Sequence, residues 1–394
     1  MKIHLTLALV WLASITIAQN DEIQTVTNAE GSNYAFTPIA HLDATPVQSQ
    51  GNTGTCWSFS SLSFFESEMI RMGTIGPDIL SEMFIVRKAY EAKADHYVRM
   101  NGRANFSEGG QFHDIPFVIR QYGIVPLDVY SGLNYGLVNH NHSEMFSVLD
   151  GAVQGLIKGM RSSKTGTITT AWKEAVNGIL DAYLGEDITE FEYKNKKYTP
   201  QSYAKSIGLN MDDYLSLTSF KNHPMNKPCI LAIQDNWTTE SSYNVALNEM
   251  VEATKYALNQ GFTVAWDADV SEKGFSFKNG IAVNPKDKST LQGQDAEPAA
   301  GFMNPVEEKE VTAETRQAGY DNKSTEDDHL MHIVGLYEDQ KGTSYFLVKN
   351  SWGTGNLPEG YLYVSESYFK EKTILVYLNK GGLSKGMTKK LGLK

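Results

Sequence analysis

Apolar residues between Gln50 and Met72 fall at Phe59, Leu62, Phe65, Met69 and Met72. These three- and four-residue steps predict a helix with one buried face. The same period runs through LSEMFIVRKAYEAKADHYV (80–98), EMFSVLDGAVQGLIKGM (144–160), TAWKEAVNGILDAYLG (170–185) and LNEMVEATKYALNQG (247–261), so helices are expected there too. A further helix should follow the glycines of SEGGQFHDIPFVIRQYGIVP and stop near Gly123 and Pro126, with His113 on its surface. Thr199 before Pro200 reads as a helix cap. Short apolar runs mark strands at CILAI (229–233), TVAWDADV (263–270), Tyr345–Val348 and TILVYL (373–378), and DHLMHIVG around His329 also reads as a strand. Cys229, inside the first of these runs, is expected in the core. Residues Asn20 to Ala44 read as a polar leader feeding a short extended segment.

The chain has 394 residues, 41% of them hydrophobic, enough for one large domain or two. A formal charge of −11 argues against a phosphate-binding surface, so nucleic acid is not an expected partner. Lys2 followed by an apolar run from Leu5 to Ile17 and a small residue at Ala18 predicts a signal peptide over residues 1–18, with a mature chain from 19 to 394. The run is too short to span a bilayer. The expected location is therefore periplasmic or secreted, without a membrane partner after cleavage. Cys56 and Cys229 are the only cysteines, which excludes a disulfide-stapled fold if Cys56 is used chemically. No HExxH or paired-cysteine pattern predicts a metal, and no cofactor is expected.

Cys56 stands at the start of the first helix, after a loop containing Gly51 and Gly54, where unpaired N–H groups and the helix dipole favour a thiolate. Gln50, Cys56 and Trp57 resemble the nucleophile motif of papain-like cysteine peptidases, as do His329 and the Asn350-Ser351-Trp352-Gly353 segment further on. Cys56 and His329 are 329 − 56 = 273 residues apart, whereas simple enzymes of that family place the histidine about 130–150 residues on. The chain resembles the bleomycin hydrolase and aminopeptidase C branch in its helical insert, in TPQSYAKSIGLNMDDYLSLTS, and in the 247–275 stretch. The resemblance implies an α+β, two-lobed papain-like fold, with a helical insertion at about 131–222 and a C-terminal arm at about 379–394. It also implies substrate-binding roles for Gly109 and Gly110, which allow close backbone approach to a peptide.

His329 and His332 lie three residues apart in one strand and so face opposite ways, and only one can address Cys56. The resemblance selects His329 and leaves His332 structural. It casts Asn350 as the residue that orients His329, Gln50 as an oxyanion donor, and Trp352 as the cover over the pair at the edge of the substrate site. The implied function is a thioester-forming cysteine aminopeptidase acting on peptides, the C-terminal carboxylate of the arm pairing with the substrate amine. A papain-like endopeptidase and a non-catalytic peptide-binding protein are the alternatives. The branch also implies a homo-oligomer, a hexameric ring.

Overall fold

The structure is a computed structural model that describes residues 25–73, 78–134, 136–162, 167–293 and 298–393. The expected signal peptide lies outside these residues.

The first part of the chain is helical. Helix α1 (Cys56–Met72) is buried along almost its whole length, and α2 (Glu82–Arg99) and α3 (Asp114–Tyr122) pack around it. Its expected apolar positions Phe59, Leu62, Phe65 and Met69 join the core, as does Phe64, because the helix is surrounded rather than lying on a surface. The strand β1 (Thr37–His41) precedes these helices. The range expected to be inserted contains α4 (Ser143–Ser162), α5 (Ala171–Leu184), a hairpin of β2 (Phe191–Tyr193) and β3 (Lys196–Tyr198), and α6 (Pro200–Ser206). Thr199 caps α6 through a reciprocal bond pair with Ser202. Towards the end of the same range β4 (Tyr214–Thr218) belongs to the main sheet.

The sheet is completed by β5 (Lys227–Ile230), β6 (Ser241–Asn244), β7 (Val264–Ala268), the two-residue strands β8 (Phe275–Ser276) and β9 (Ile281–Ala282), β10 (His329–Glu338), β11 (Ser344–Lys349), β12 (Tyr361–Ser365) and β13 (Thr373–Asn379). Its order is β5-β6-β4-β13-β7-β10-β11-β12-β9-β8, with β1 pairing the far end of β10. Helix α7 (Leu247–Asn259) lies against one face and α1 against the other. Alternation assigns the side chains: Val264, Trp266, Met331 and Ile333 enter the α7 core, while Ala265, Leu330 and Leu375 enter the α1 core. The β10–β11 pairing slips by one residue between Ile333 and Gly335. The short helices α8 (Ala300–Met303), α9 (Ala313–Asp321) and α10 (Glu366–Lys372) lie on connections.

One expectation is corrected here. His113 is buried, its Nε2 2.9 Å from the Ser216 hydroxyl, because β4 covers the start of α3. After β13 the C-terminal segment turns through residues 380–382 into α11 (Lys385–Lys390), and Leu383, Met387 and Leu391 enter the α7 core. Asn379, where it departs, donates to Glu68 at 2.7 Å.

Candidate active site

The loop leading to Cys56 is fixed at several points. The Gln50 N–H donates to the Ser351 carbonyl at 2.9 Å, and the Asn52 N–H to the His140 carbonyl at 2.9 Å. Gly51 adopts φ 63°, and a Cβ there would overlap the His140 carbonyl, so the turn requires glycine. The Gly54 N–H donates to Glu108 Oε2 at 2.7 Å. Cys56 thus opens α1 with no side-chain cap from Thr55 to compete for the helix N-terminus.

His329 is the first residue of β10, in register with Ala268 of β7. Asn350 follows β11 and donates its N–H to the Gly360 carbonyl at 3.0 Å. Its Oδ1 lies 2.7 Å from His329 Nε2 and also accepts the Ser351 N–H at 2.7 Å, which leaves the other imidazole nitrogen, Nδ1, free of that bond. Trp352 covers the histidine ring, centroid to centroid 4.6 Å, and is itself 39% exposed. The Leu330 backbone, adjoining His329, hydrogen-bonds the Cys56 sulfur. Gln50 Oε1 accepts from the Ser351 hydroxyl at 2.7 Å, while Nε2 donates one hydrogen to the Thr53 carbonyl at 2.7 Å, leaving the second. The structure therefore brings Gln50, Cys56, His329, Asn350 and Trp352 to one place.

Gly109 and Gly110 border the same place. A Cβ on Gly110 would come within 2.8 Å of the Trp57 ring, and one on Gly109 would overlap the Asp235 carboxylate. Trp57 Nε1 donates to the Glu108 carbonyl at 3.0 Å, tying this segment to α1. His332 faces away from His329, its Nδ1 2.9 Å from the Ser63 hydroxyl of α1.

The electrostatics differ from the sequence expectation. Burial pushes the Cys56 thiol up to about 12, and Asp235, Asp327 and Asp267 reinforce the shift against the Leu330 bond. Burial likewise lowers His329, partly offset by Asn350 and Asp328. Burial thus disfavours both the thiolate and the imidazolium. The helix terminus is present, but desolvation outweighs it.

The three carboxylates were not singled out in the sequence. Gln111 Nε2 donates to Asp267 and to Asp327, each at 2.9 Å. Burial and mutual repulsion hold Asp267 well above the usual carboxylate range, and burial with the Asp235 charge holds Asp327 at about 7. One signal was available: Asp267 is a charged residue in the middle of an apolar strand, in phase with Ala265 towards α1. Asp235 and Asp327 lie in polar connections and carried none.

The sequence model of the Peptidase C1-like family matches residues 77–393, a span that includes His329 and Asn350 and begins after Cys56. Aminopeptidase W of Lactobacillus delbrueckii subsp. lactis is 23% identical over 382 residues, covering 86% of this chain and 82% of its own. Aminopeptidase C of Listeria monocytogenes serovar 1/2a is 25% identical over 419 residues, covering 96% and 89%. The crystal structure of pepw from Lactobacillus rhamnosis HN001 superposes with a TM-score of 0.70 at 20% identity, covering 90% of this chain and 84% of that one, and thus shares the fold.

Proposed function

The chain belongs to the Peptidase C1-like family, and we propose that it is a cysteine aminopeptidase in which Cys56 is the nucleophile, His329 the proton carrier and Asn350 the orienting residue. The observation that carries this reading is the 2.7 Å His329–Asn350 bond beneath Trp352, next to a cysteine at a helix start. Cys56 Sγ attacks the amide carbonyl as its proton passes to the free nitrogen of His329, so the buried thiol need not ionise beforehand. The oxyanion accepts hydrogen bonds from the second Gln50 amide hydrogen and from the N–H of Cys56, as the first N–H groups of a helix lack intrahelical partners. The imidazolium returns its proton to the departing amine, leaving a thioester. Water, deprotonated by His329, releases the acid and restores the thiol.

Aminopeptidase action, rather than internal cleavage, is supported by relatives named aminopeptidases that match across more than four-fifths of their length. Export is supported by the pattern of the first eighteen residues. The test is hydrolysis of one fluorogenic peptide with a free or acetylated N-terminus, by the wild type and by Cys56→Ala. Cleavage of the free form alone, lost with the cysteine, is expected. Equal cleavage of both forms would make it an endopeptidase, and activity surviving in Cys56→Ala would remove the nucleophile.

A further inference from the structure

The thiol and a backbone N–H aimed at the oxyanion both belong to Cys56, so the chain on either side of it has to be held still for the two to act on one carbonyl. Upstream, the Gln50 and Asn52 N–H groups are tied to the Ser351 and His140 carbonyls. The facing wall holds the rest through Glu108, in the connection between α2 and α3. Its carboxylate accepts the Gly54 N–H at 2.7 Å, two residues before the thiol. Its carbonyl accepts Trp57 Nε1 at 3.0 Å, one residue after the thiol, and the Trp57 ring is fully buried. The approach is close, since a Cβ on Gly54 would stand 2.8 Å from Glu108 Cβ.

Glu108 is itself held from below. Lys93 of α2, 1% exposed, donates its Nζ to the Ser107 carbonyl at 2.7 Å and to the Gly109 carbonyl, the groups on either side of residue 108. An ammonium so buried needs charge to answer it. Asp235, Asp114 and Glu108 supply that charge, against the burial that lowers the Lys93 pKa. Burial likewise raises Glu108, while the Gly54 N–H and Lys93 favour its carboxylate. A carboxylate that accepts a backbone N–H makes a shorter and stronger bond than a neutral acceptor does. Lys93 therefore brackets residue 108, and residue 108 brackets the thiol.

We propose that Glu108, seated by Lys93, is a positioning residue for the reaction, fixing the 54–57 stretch so that the Cys56 thiol and the Cys56 N–H meet the same carbonyl. Glu108 touches no reacting atom and acts through Cys56. Its loss should therefore slow turnover more than it weakens binding, because Gly109 is still held by Lys93 and Trp352 still covers His329.

The proposal rests on the peptidase reading with Cys56 as nucleophile, and the test separates the two. Hydrolysis of a free-amine fluorogenic peptide is measured for wild type, Glu108→Ala, Glu108→Gln and Gly54→Ala. Rates are expressed per chain that iodoacetamide alkylates at Cys56, with the thermal midpoint followed alongside. Glu108→Ala should lower kcat by about 10- to 100-fold, the cost of a small misplacement of a reacting group, with KM within about threefold of wild type. Glu108→Gln, whose amide oxygen can still accept the Gly54 N–H, should keep kcat within about fivefold of wild type. Gly54→Ala, whose methyl presses on Glu108 Cβ, should fall as Glu108→Ala does and decides the matter if that variant does not fold. A merely structural role would lower the thermal midpoint and the alkylated fraction but leave kcat per alkylated chain unchanged. That result, a loss confined to KM, or a glutamine variant as slow as the alanine variant overturns the Glu108 assignment while leaving the peptidase reading intact. Failure of wild type to hydrolyse the peptide overturns the peptidase reading itself.

Discussion

Replacing Asn350 by alanine removes the acceptor for His329 Nε2 and leaves a buried N–H without a partner, since the ring is 4% exposed and Trp352 shuts out water above it. Orphaning such a donor costs about 1–3 kcal/mol. At about 1.4 kcal/mol per decade this predicts a fall in kcat of about 10- to 100-fold. A larger loss is not expected, because Trp352 still packs on the imidazole and restricts its rotation. KM should change little, as Asn350 lies behind the histidine and contacts no substrate. Steady-state hydrolysis of a free-amine fluorogenic peptide gives both constants, with the thermal midpoint measured alongside to separate catalysis from folding. A normal kcat, or a loss confined to KM, would refute the orienting role and with it the pairing of Nδ1 with the thiol.

Replacing His329 by alanine should cost about 10²- to 10⁴-fold in kcat, whereas His332→Leu, which loses its hydrogen bond with Ser63 and its ring contact with Phe64, should chiefly lower the thermal midpoint; the reverse pattern would exchange the two assignments. Stability should also fall as pH rises from about 4.5 to about 8. Burial raises Glu66, Asp114 and Glu308 to about 7 and Glu82 to about 8. Their stabilisation is complete below the unfolded carboxyl pKa and is lost as pH rises through these folded values. His113 and His142, pushed down to about 4 by burial, act in the opposite sense and weaken the fold as pH drops from about 6.5 towards 4. Four raised carboxyls outweigh two lowered histidines, so melting midpoints should decline from about pH 5 to pH 8, and Glu66→Gln should flatten that decline; a midpoint that climbs from pH 5 to pH 8 would contradict this.

The cluster of Cys56, His329 and Asn350 was legible because its members are rare residue types in distinctive local settings: a cysteine after a glycine-bearing loop, a histidine opening an apolar strand, an asparagine before Ser-Trp-Gly. Gln50 was legible for the same reason. The direction in which the thiol is shifted was not, because a helix start shows in a sequence whereas the burial that opposes it, reinforced by carboxylates from positions 235, 267 and 327, arises only in the folded chain. The tail's packing was not legible for a related cause: its lysines suggest a solvated or reaching segment, whereas Leu383, Met387 and Leu391 at four-residue spacing form the stripe that enters the α7 core. His113 looked exposed because the strand that covers it, β4, lies beyond the whole helical insertion.

The one-residue slip in the β10–β11 hairpin has a bearing on how this site tolerates change in length. On the turn side the paired numbers sum to 682, as in Leu336 with Phe346, and on the site side to 681, as in His332 with Lys349. The extra residue, Val334, sets the phase between the strand that carries His329 and the strand that delivers Asn350. A shift of one residue turns a strand's side chains to its other face. Changes in loop length around 339–343 remain on the turn side of this offset, and even removing Val334 would leave Ile333 opposite Val348 and His332 opposite Lys349. The bulge thus separates an adjustable hairpin tip from a site that keeps one working register.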